Sequence, residues 1–189
     1  MQRSVSIQKM TVAALLIAIG IIIPMFSPAK IVIPPASFTL ASHVPIFISM
    51  FISPAVAAAV AVGTTLGFLL GGFPFVIVLR AATHVIFAVL GAWWLGKRPG
   101  TLNTFGRSQL YSLVIGLIHG ASELAIVTIV FFGGGMATSY YENGFLVSVL
   151  LLVGVGSVVH SMVDFAIALI IIKALSRNPS LRVLFANAN

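Results

Sequence analysis

The sequence contains no cysteine and very little charge. Its 189 residues include ten Lys or Arg and only three Asp or Glu, so that 7% of the residues are charged, against roughly 25% in an average soluble domain. The lack of cysteine excludes disulfide bonds, thiol catalysis and Cys-ligated zinc or iron–sulfur sites. So few charged side chains cannot cover the surface of a soluble protein of this size. A soluble globular fold is therefore excluded.

Long apolar runs take the place of the missing charge. Hydrophobic residues make up 60% of the chain, and the mean hydropathy is +1.18, which excludes disordered and coiled-coil proteins. The formal net charge is +7, but the basic residues are scattered between apolar runs and do not form one basic face, so no nucleic-acid partner is expected. The composition predicts an integral membrane protein in contact with lipid.

The apolar runs predict an all-α protein with six transmembrane helices in a single membrane domain over residues 1–189. Each helix needs about 20 apolar residues to cross a hydrocarbon core of about 30 Å. The predicted helices cover approximately residues 9–23, 38–52, 54–72, 75–95, 110–132 and 145–175. The segment Pro24–Ser37 contains four prolines and predicts an irregular loop. Ser53 followed by Pro54 predicts the start of the third helix.

The distribution of basic residues predicts the orientation. If the N-terminus lies in the cytoplasm, eight Lys or Arg fall at cytoplasmic ends, Lys30 alone falls outside, and Arg80 lies within a helix. Cytoplasmic flanks carry an excess of Lys and Arg, so both termini are expected in the cytoplasm. The eight are Arg3, Lys9, Lys97, Arg98, Arg107, Lys173, Arg177 and Arg182.

Small residues recur at a spacing of four in two helices. Gly63, Gly67 and Gly71 share one face of the third helix, where another backbone can approach closely; packing within the chain is the favoured interpretation. Ala14 and Ala18 share one face of the first helix in the same way.

Ionisable residues within the last three helices are the most informative feature. Each helix carries one i,i+4 pair, and such a pair shares one helix face. The pairs are Arg80 with His84, His119 with Glu123, and His160 with Asp164. Because a charge facing lipid costs several kcal/mol, about 2.5–3.5 on the insertion scale, the three faces are expected to surround one polar cavity in the outer half of the bilayer.

The candidate binding residues are therefore Arg80, His84, His119, Glu123 and His160, with Lys30 and Tyr140 from outer loops. Two alternatives stay open for Arg80, which either contacts an anionic substrate or neutralises Glu123. His160 and Asp164 either belong to the site or hold their own helix. Tyr140 fits an interfacial aromatic belt as well as a binding lid.

Several kinds of chemistry lack their motifs. No H-x-x-x-H pair or other cluster at metal-ligand spacing occurs, so no metal and no cofactor are expected. No G-x-S-x-G elbow and no phosphate-binding loop is present. The chain is therefore not expected to be an enzyme, and any ATP would be hydrolysed by another chain.

The sequence resembles the S components of energy-coupling factor (ECF) vitamin importers. The residues that carry this resemblance are Ala14-x-x-x-Ala18, the stretch Pro35–Pro54, and Gly63-Thr-Thr-Leu-Gly-Phe68. The resemblance implies a multi-pass protein of a prokaryotic plasma membrane that binds a vitamin between helices four to six, near the outer surface. It also implies that Ala14 and Ala18 dock on a transmembrane T component, which two ATPase subunits drive.

The charged residues of the candidate site narrow the choice of substrate. Arg80 and Lys30 favour a carboxylated vitamin such as pantothenate or niacin, because Arg binds a carboxylate in a bidentate manner. Pyridoxine or a thiamine-pyrimidine precursor is the second choice, with Glu123 as the anchor. The alternatives of another class are a stand-alone proton-coupled carrier that uses the His and carboxylate pairs, and an intramembrane enzyme.

Overall fold

The computed structural model of the chain describes residues 2–33 and 36–185. Most of these residues are helical, and one small antiparallel hairpin follows the first helix. The elements are α1 (Gln2–Phe26), β1 (Lys30–Ile33), β2 (Ala36–Thr39), α2 (Val44–Met50), α3 (Pro54–Leu70), α4 (Phe75–Lys97), α5 (Phe105–Phe132), a 3₁₀ turn (Thr138–Tyr140), a π-helical stretch (Leu146–Val155) that continues into α6 (Gly156–Leu175), and α7 (Pro179–Arg182).

Four helical segments of the described residues are long and apolar enough to cross a membrane. They are Ser6–Phe26, Phe75–Lys97, Phe105–Phe132 and Leu146–Leu175. Helix α3 is apolar but has only 17 residues. The helical membrane protein that the composition predicts is confirmed to this extent, and the six crossings stay a prediction.

The second predicted helix is wrong over its first half. Helix was expected over residues 38–52, but α2 has only seven residues, Val44–Met50. Residues Ala36–Thr39 instead pair with Lys30–Ile33, with Lys30 opposite Thr39. The β-branched run in β1 favours a strand, and Ala41 adopts a left-handed φ of 67° that no helix allows.

The same hairpin corrects the loop predicted over Pro24–Ser37, which is not irregular throughout. Pro24 lies inside α1, whose last residue is Phe26. A proline so close to a helix end removes one hydrogen bond without stopping the turn already formed. Pro34 and Pro35, which were counted as part of that loop, lie outside the described residues.

Helix α5 begins five residues earlier than predicted. Thr104 precedes its first residue, and the Thr104 hydroxyl accepts a hydrogen bond from the backbone N–H of Arg107 at 3.4 Å. Threonine in this position supplies a partner for an N–H group that the first helical turn leaves open. The helix therefore starts in a polar stretch, which a search for long apolar runs does not include.

Helix α2 forms the centre of the bundle. All seven of its residues are buried, and it packs against α1, α3, α4 and α6. Phe47 stacks against Phe87 of α4 and Phe165 of α6 with ring centroids 5.4 Å apart in both pairs. The surrounding helices therefore bury α2 completely. With only seven residues, α2 is too short to cross a bilayer by itself.

The glycine face of α3 packs against α1. A Cβ atom placed on Gly63 would lie 2.7 Å from Cδ1 of Ile17, and one on Gly67 would overlap the Ile21 side chain. Packing within the chain, the favoured interpretation of this repeat, is therefore what the structure shows for Gly63 and Gly67. Ala14 and Ala18, also on α1, are exposed.

Candidate functional site

The carboxylate of Glu123 on α5 joins three helices. Its Oε2 lies 2.9 Å from Nη2 of Arg80 and accepts a hydrogen bond from the Ser157 hydroxyl of α6. Its Oε1 lies 3.0 Å from Nε2 of His84 and 3.4 Å from Nε2 of His119, one turn earlier on α5. All five side chains are buried. Each charge of the ion pair is thus removed from lipid and has a partner of opposite sign.

A second carboxylate, Asp164 on α6, holds the backbone that leads into α2. Its two oxygens accept hydrogen bonds from the N–H of Ala41 at 2.8 Å and the N–H of His43 at 2.9 Å. Backbone that is not helical is tolerated among membrane helices only where its polar groups are satisfied inside the protein. Asp164 satisfies two of them and fixes the left-handed turn at Ala41.

His43 connects the two carboxylates. Its Nδ1 lies 3.2 Å from Oδ2 of Asp164. Its ring centroid lies 4.6 Å from that of His84, 4.7 Å from that of His119 and 4.9 Å from that of His160. The chain contains four histidines, and all of them therefore meet around His43.

A cavity opens from this cluster toward the hairpin and the turn between α3 and α4. It has an empty volume of about 430 Å³ including its mouth, and it is lined by Arg80, His84, Glu123, His43 and Lys30 among others. The Lys30 ammonium lies over the Phe73 ring, 5.5 Å from its centroid. The cavity thus has charged and imidazole groups at its base and an exposed cation at its mouth.

The chain is similar to a known transporter over nearly its whole length. It is 40% identical to the niacin transporter NiaX of Lactococcus lactis subsp. cremoris (strain MG1363) over 175 residues, which make up 93% of this chain and 78% of that protein. The chain belongs to the family of that transporter, the S components of ECF vitamin transporters. No family model and no solved structure matches the chain.

The S-component resemblance is thereby confirmed. Membership makes the chain a membrane protein of vitamin uptake and not an enzyme.

The structure brings most of the predicted site residues of this S component together. Arg80, His84, Glu123 and Lys30 line the cavity, and His119 lies fully buried behind it. His160 lies on the far side of His43, where it lines a shallow groove that also includes Lys30. That these residues bind substrate stays a prediction.

Tyr140 is not brought to the cavity. It packs against an apolar cluster that includes Ala36, Val76 and Val127. The aromatic side chain therefore contributes to apolar packing and not to the lining of the cavity.

Sequence reasoning missed His43 as a site residue. It falls within the second predicted helix, residues 38–52, whereas α2 begins at Val44. Its contact with Asp164 spans 121 positions in sequence, which no spacing rule detects. The available signal was the count: three of four histidines had been placed in the candidate site.

The site also contains groups that suit a metal ion, which sequence spacing gave no sign of. The ligand atoms of His43, His84, His119 and Glu123 lie within 4.8 Å of one another, and so do those of His43, His160 and Asp164. The first set comes from the residue before α2, from α4 and from α5. His43, His84 and His119 are far apart in sequence, so this grouping forms only in the folded chain. The expectation that no metal is bound stays a prediction.

Proposed function

We propose that this S component binds niacin in the cavity beneath the hairpin. The observation that carries the proposal is that two cations, Arg80 and Lys30, line the same cavity as the buried carboxylate of Glu123. Niacin offers one carboxylate and one aromatic ring. Arg80 and Lys30 would balance the charge of the carboxylate, and Phe73 and the imidazole of His84 provide flat partners for the ring. The relative named as a niacin transporter supports the same choice.

Arg80 can serve Glu123 and a substrate at the same time. A guanidinium carries five N–H donors in a planar fork, and Arg80 both donates to Glu123 at 2.9 Å and lines the cavity. We therefore place the carboxylate of niacin between Arg80 and Lys30.

The test is a titration of the purified chain with niacin and with nicotinamide, which has the same ring but no charge. Loss of a charge-assisted, desolvated pair costs about 2–5 kcal/mol, so niacin should bind at least about 30-fold more tightly. Pantothenate, pyridoxine and a thiamine-pyrimidine precursor are titrated in parallel. Equal affinity for nicotinamide, or tighter binding of any of these three, contradicts the proposal.

We further propose that the chain works in an ECF complex with a T component and two ATPase subunits. Ala14 and Ala18 support this, because they form an exposed strip of small residues on α1. Only 17% of the apolar window of α1 is buried, against 50% for α4. A helix with so much uncovered surface and a smooth strip allows close approach of a partner helix.

Reconstituted vesicles test this assembly. The chain alone should bind niacin and fail to accumulate it, and addition of the T component, ATPases and ATP should give accumulation. Accumulation by the chain alone, driven by a pH gradient, would instead establish the stand-alone carrier.

The proposed topology has six crossings, with both termini in the cytoplasm of a prokaryotic cell. The hairpin and α2 together form the second crossing. Lys97 ends α4 and Lys173 lies in the last turn of α6, at the end of the bundle away from the cavity, as cytoplasmic flanks require. Because the chain has no cysteine, single cysteines placed in the hairpin and after α4 report their side by labelling of intact cells.

A further inference from the structure

Imidazole and carboxylate groups converge here from separate parts of the chain. His43 precedes α2, His84 lies on α4, and His119 and Glu123 lie on α5. All four are buried, and their ligand atoms lie within 4.8 Å of one another. Neutral imidazole nitrogens and a carboxylate oxygen are the ligands that zinc and neighbouring transition metals prefer.

Glu123 presents its two oxygens to different partners. Oε2 is held by Arg80 and by the Ser157 hydroxyl, whereas Oε1 lies beside the Nε2 atoms of His84 and His119 at 3.0 and 3.4 Å. Two ligand atoms on one tetrahedral zinc, each at about 2.0–2.2 Å, lie about 3.4 Å apart. Oε1 and the two nitrogens therefore already have a spacing suited to one shared ion.

His43 is oriented as a metal ligand usually is. Its Nδ1 lies 3.2 Å from the Asp164 carboxylate, so Nδ1 carries the proton and Nε2 keeps its lone pair. A histidine that binds metal commonly donates its other ring N–H to a carboxylate, which fixes its tautomer and orientation. Asp164 fulfils this role for His43.

The His119 imidazole is fully buried and forms no hydrogen bond among the described residues. Its Nε2 lies 3.4 Å from Oε1 of Glu123 without making a hydrogen bond to it. A buried polar group without a partner is costly and calls for an explanation such as an ion. An ion bound to Nε2 would supply the missing interaction.

We propose that His43, His84, His119 and Glu123 bind one divalent transition-metal ion of the zinc class in tetrahedral geometry, with Asp164 positioning His43. The ion lies at the base of the cavity, since His43, His84 and Glu123 also line it. Its binding does not require a vitamin. The proposal can therefore stand or fail independently of the proposed substrate.

The test uses the full chain in detergent, purified without a polyhistidine tag, stripped with a chelator and titrated with Co²⁺ in the absence of vitamin. We expect one Co²⁺ per chain, the visible absorption of tetrahedral Co²⁺, and displacement by Zn²⁺. His119→Gln should weaken binding by roughly 100-fold or more, since even a residue that only orients a ligand is worth about 10–100-fold. Glu142→Gln is the control, because Glu142 is an exposed carboxylate outside the proposed set, and this variant should bind Co²⁺ within a few-fold of the original chain.

A second variant keeps the test decisive if His119→Gln folds poorly. His119→Cys provides another zinc ligand, so it should still bind Co²⁺ and should add thiolate-to-cobalt absorption in the near ultraviolet. The chain has no other cysteine, so this absorption can come from no other residue. Absence of Co²⁺ binding, an octahedral spectrum, loss of binding in Glu142→Gln, or no thiolate absorption in a metal-bound His119→Cys chain overturns the proposal.

Discussion

Nη2 of Arg80 lies 2.9 Å from Oε2 of Glu123, and both side chains line the same cavity. The pair links α4 to α5 inside the apolar part of the bundle. The two interpretations that the sequence leaves open for Arg80 are therefore compatible in space. Arg80 neutralises Glu123, and it also lines the space where a substrate carboxylate would bind. Only changes made to both residues separate the two roles.

Replacement of Arg80 by Met should lower stability and vitamin affinity together. It leaves the Glu123 carboxylate buried without its cation, which costs about 3–5 kcal/mol. In the double variant Arg80→Met with Glu123→Gln, the buried charges are gone and the melting temperature in detergent should recover. Niacin affinity should stay low, because no guanidinium remains to bind the carboxylate of niacin. Near-normal affinity in a well-folded double variant would remove Arg80 from the binding site.

Replacement of Asp164 by Ala should destabilise the start of α2. Two backbone N–H groups lose a charged acceptor, and a hydrogen bond to a charged group contributes about 1.5–3 kcal/mol. The melting temperature in detergent should fall well below that of the unmodified chain. Glu142→Gln is the control, because Glu142 is exposed and its change should leave the melting temperature unaltered. A similar melting temperature for both variants would mean that Asp164 does not hold the turn.

Replacement of Gly67 by Ala should separate α1 from α3. The added Cβ would overlap the Ile21 side chain, and such overpacking costs about 1–3 kcal/mol. Gly106→Ala is the control, because a Cβ there meets nothing within 4 Å and the helix should gain slightly. Thermal melting of both variants, and of Gly67→Ala combined with Ile21→Ala, measures the effect. If the second change fails to restore stability, the overlap with Ile21 is not the cause.

Replacement of Ala14 or Ala18 by Leu should block transport and spare vitamin binding. Both residues are exposed and lie away from the cavity, so a larger side chain disturbs only what packs on α1 from outside. Ala59→Leu is the control, since Ala59 is an exposed alanine on α3. Uptake by the full complex and vitamin titration of the isolated chain are compared. Equal loss of uptake and binding in the α1 variants would show that the strip serves the fold of the chain itself.

The sequence predicted the site where its residues lie four positions apart on one helix. Arg80 with His84 and His119 with Glu123 share helix faces, and burial of charge in an apolar bundle turns such faces inward. The hairpin and His43 could not be predicted in this way. The hairpin forms by pairing of Lys30–Ile33 with Ala36–Thr39, which helix periodicity does not detect. The role of His43 depends on Asp164, a residue 121 positions away. Contacts of this range follow from packing and leave no periodic pattern in the sequence.

Lys30 begins β1 and Phe73 lies in the turn between α3 and α4, and their contact at 5.5 Å spans the mouth of the cavity. Lys30 is exposed, and a cation above a ring at an exposed site gains only about 0.5–1 kcal/mol, which is less than a carboxylate offers the same ammonium. An arriving anion can therefore take Lys30 from the ring at little cost. It follows that association should be fast, should be accelerated by the charge at the mouth, and should slow as salt screens that charge. The rate of dissociation, set by the buried groups below, should change little with salt.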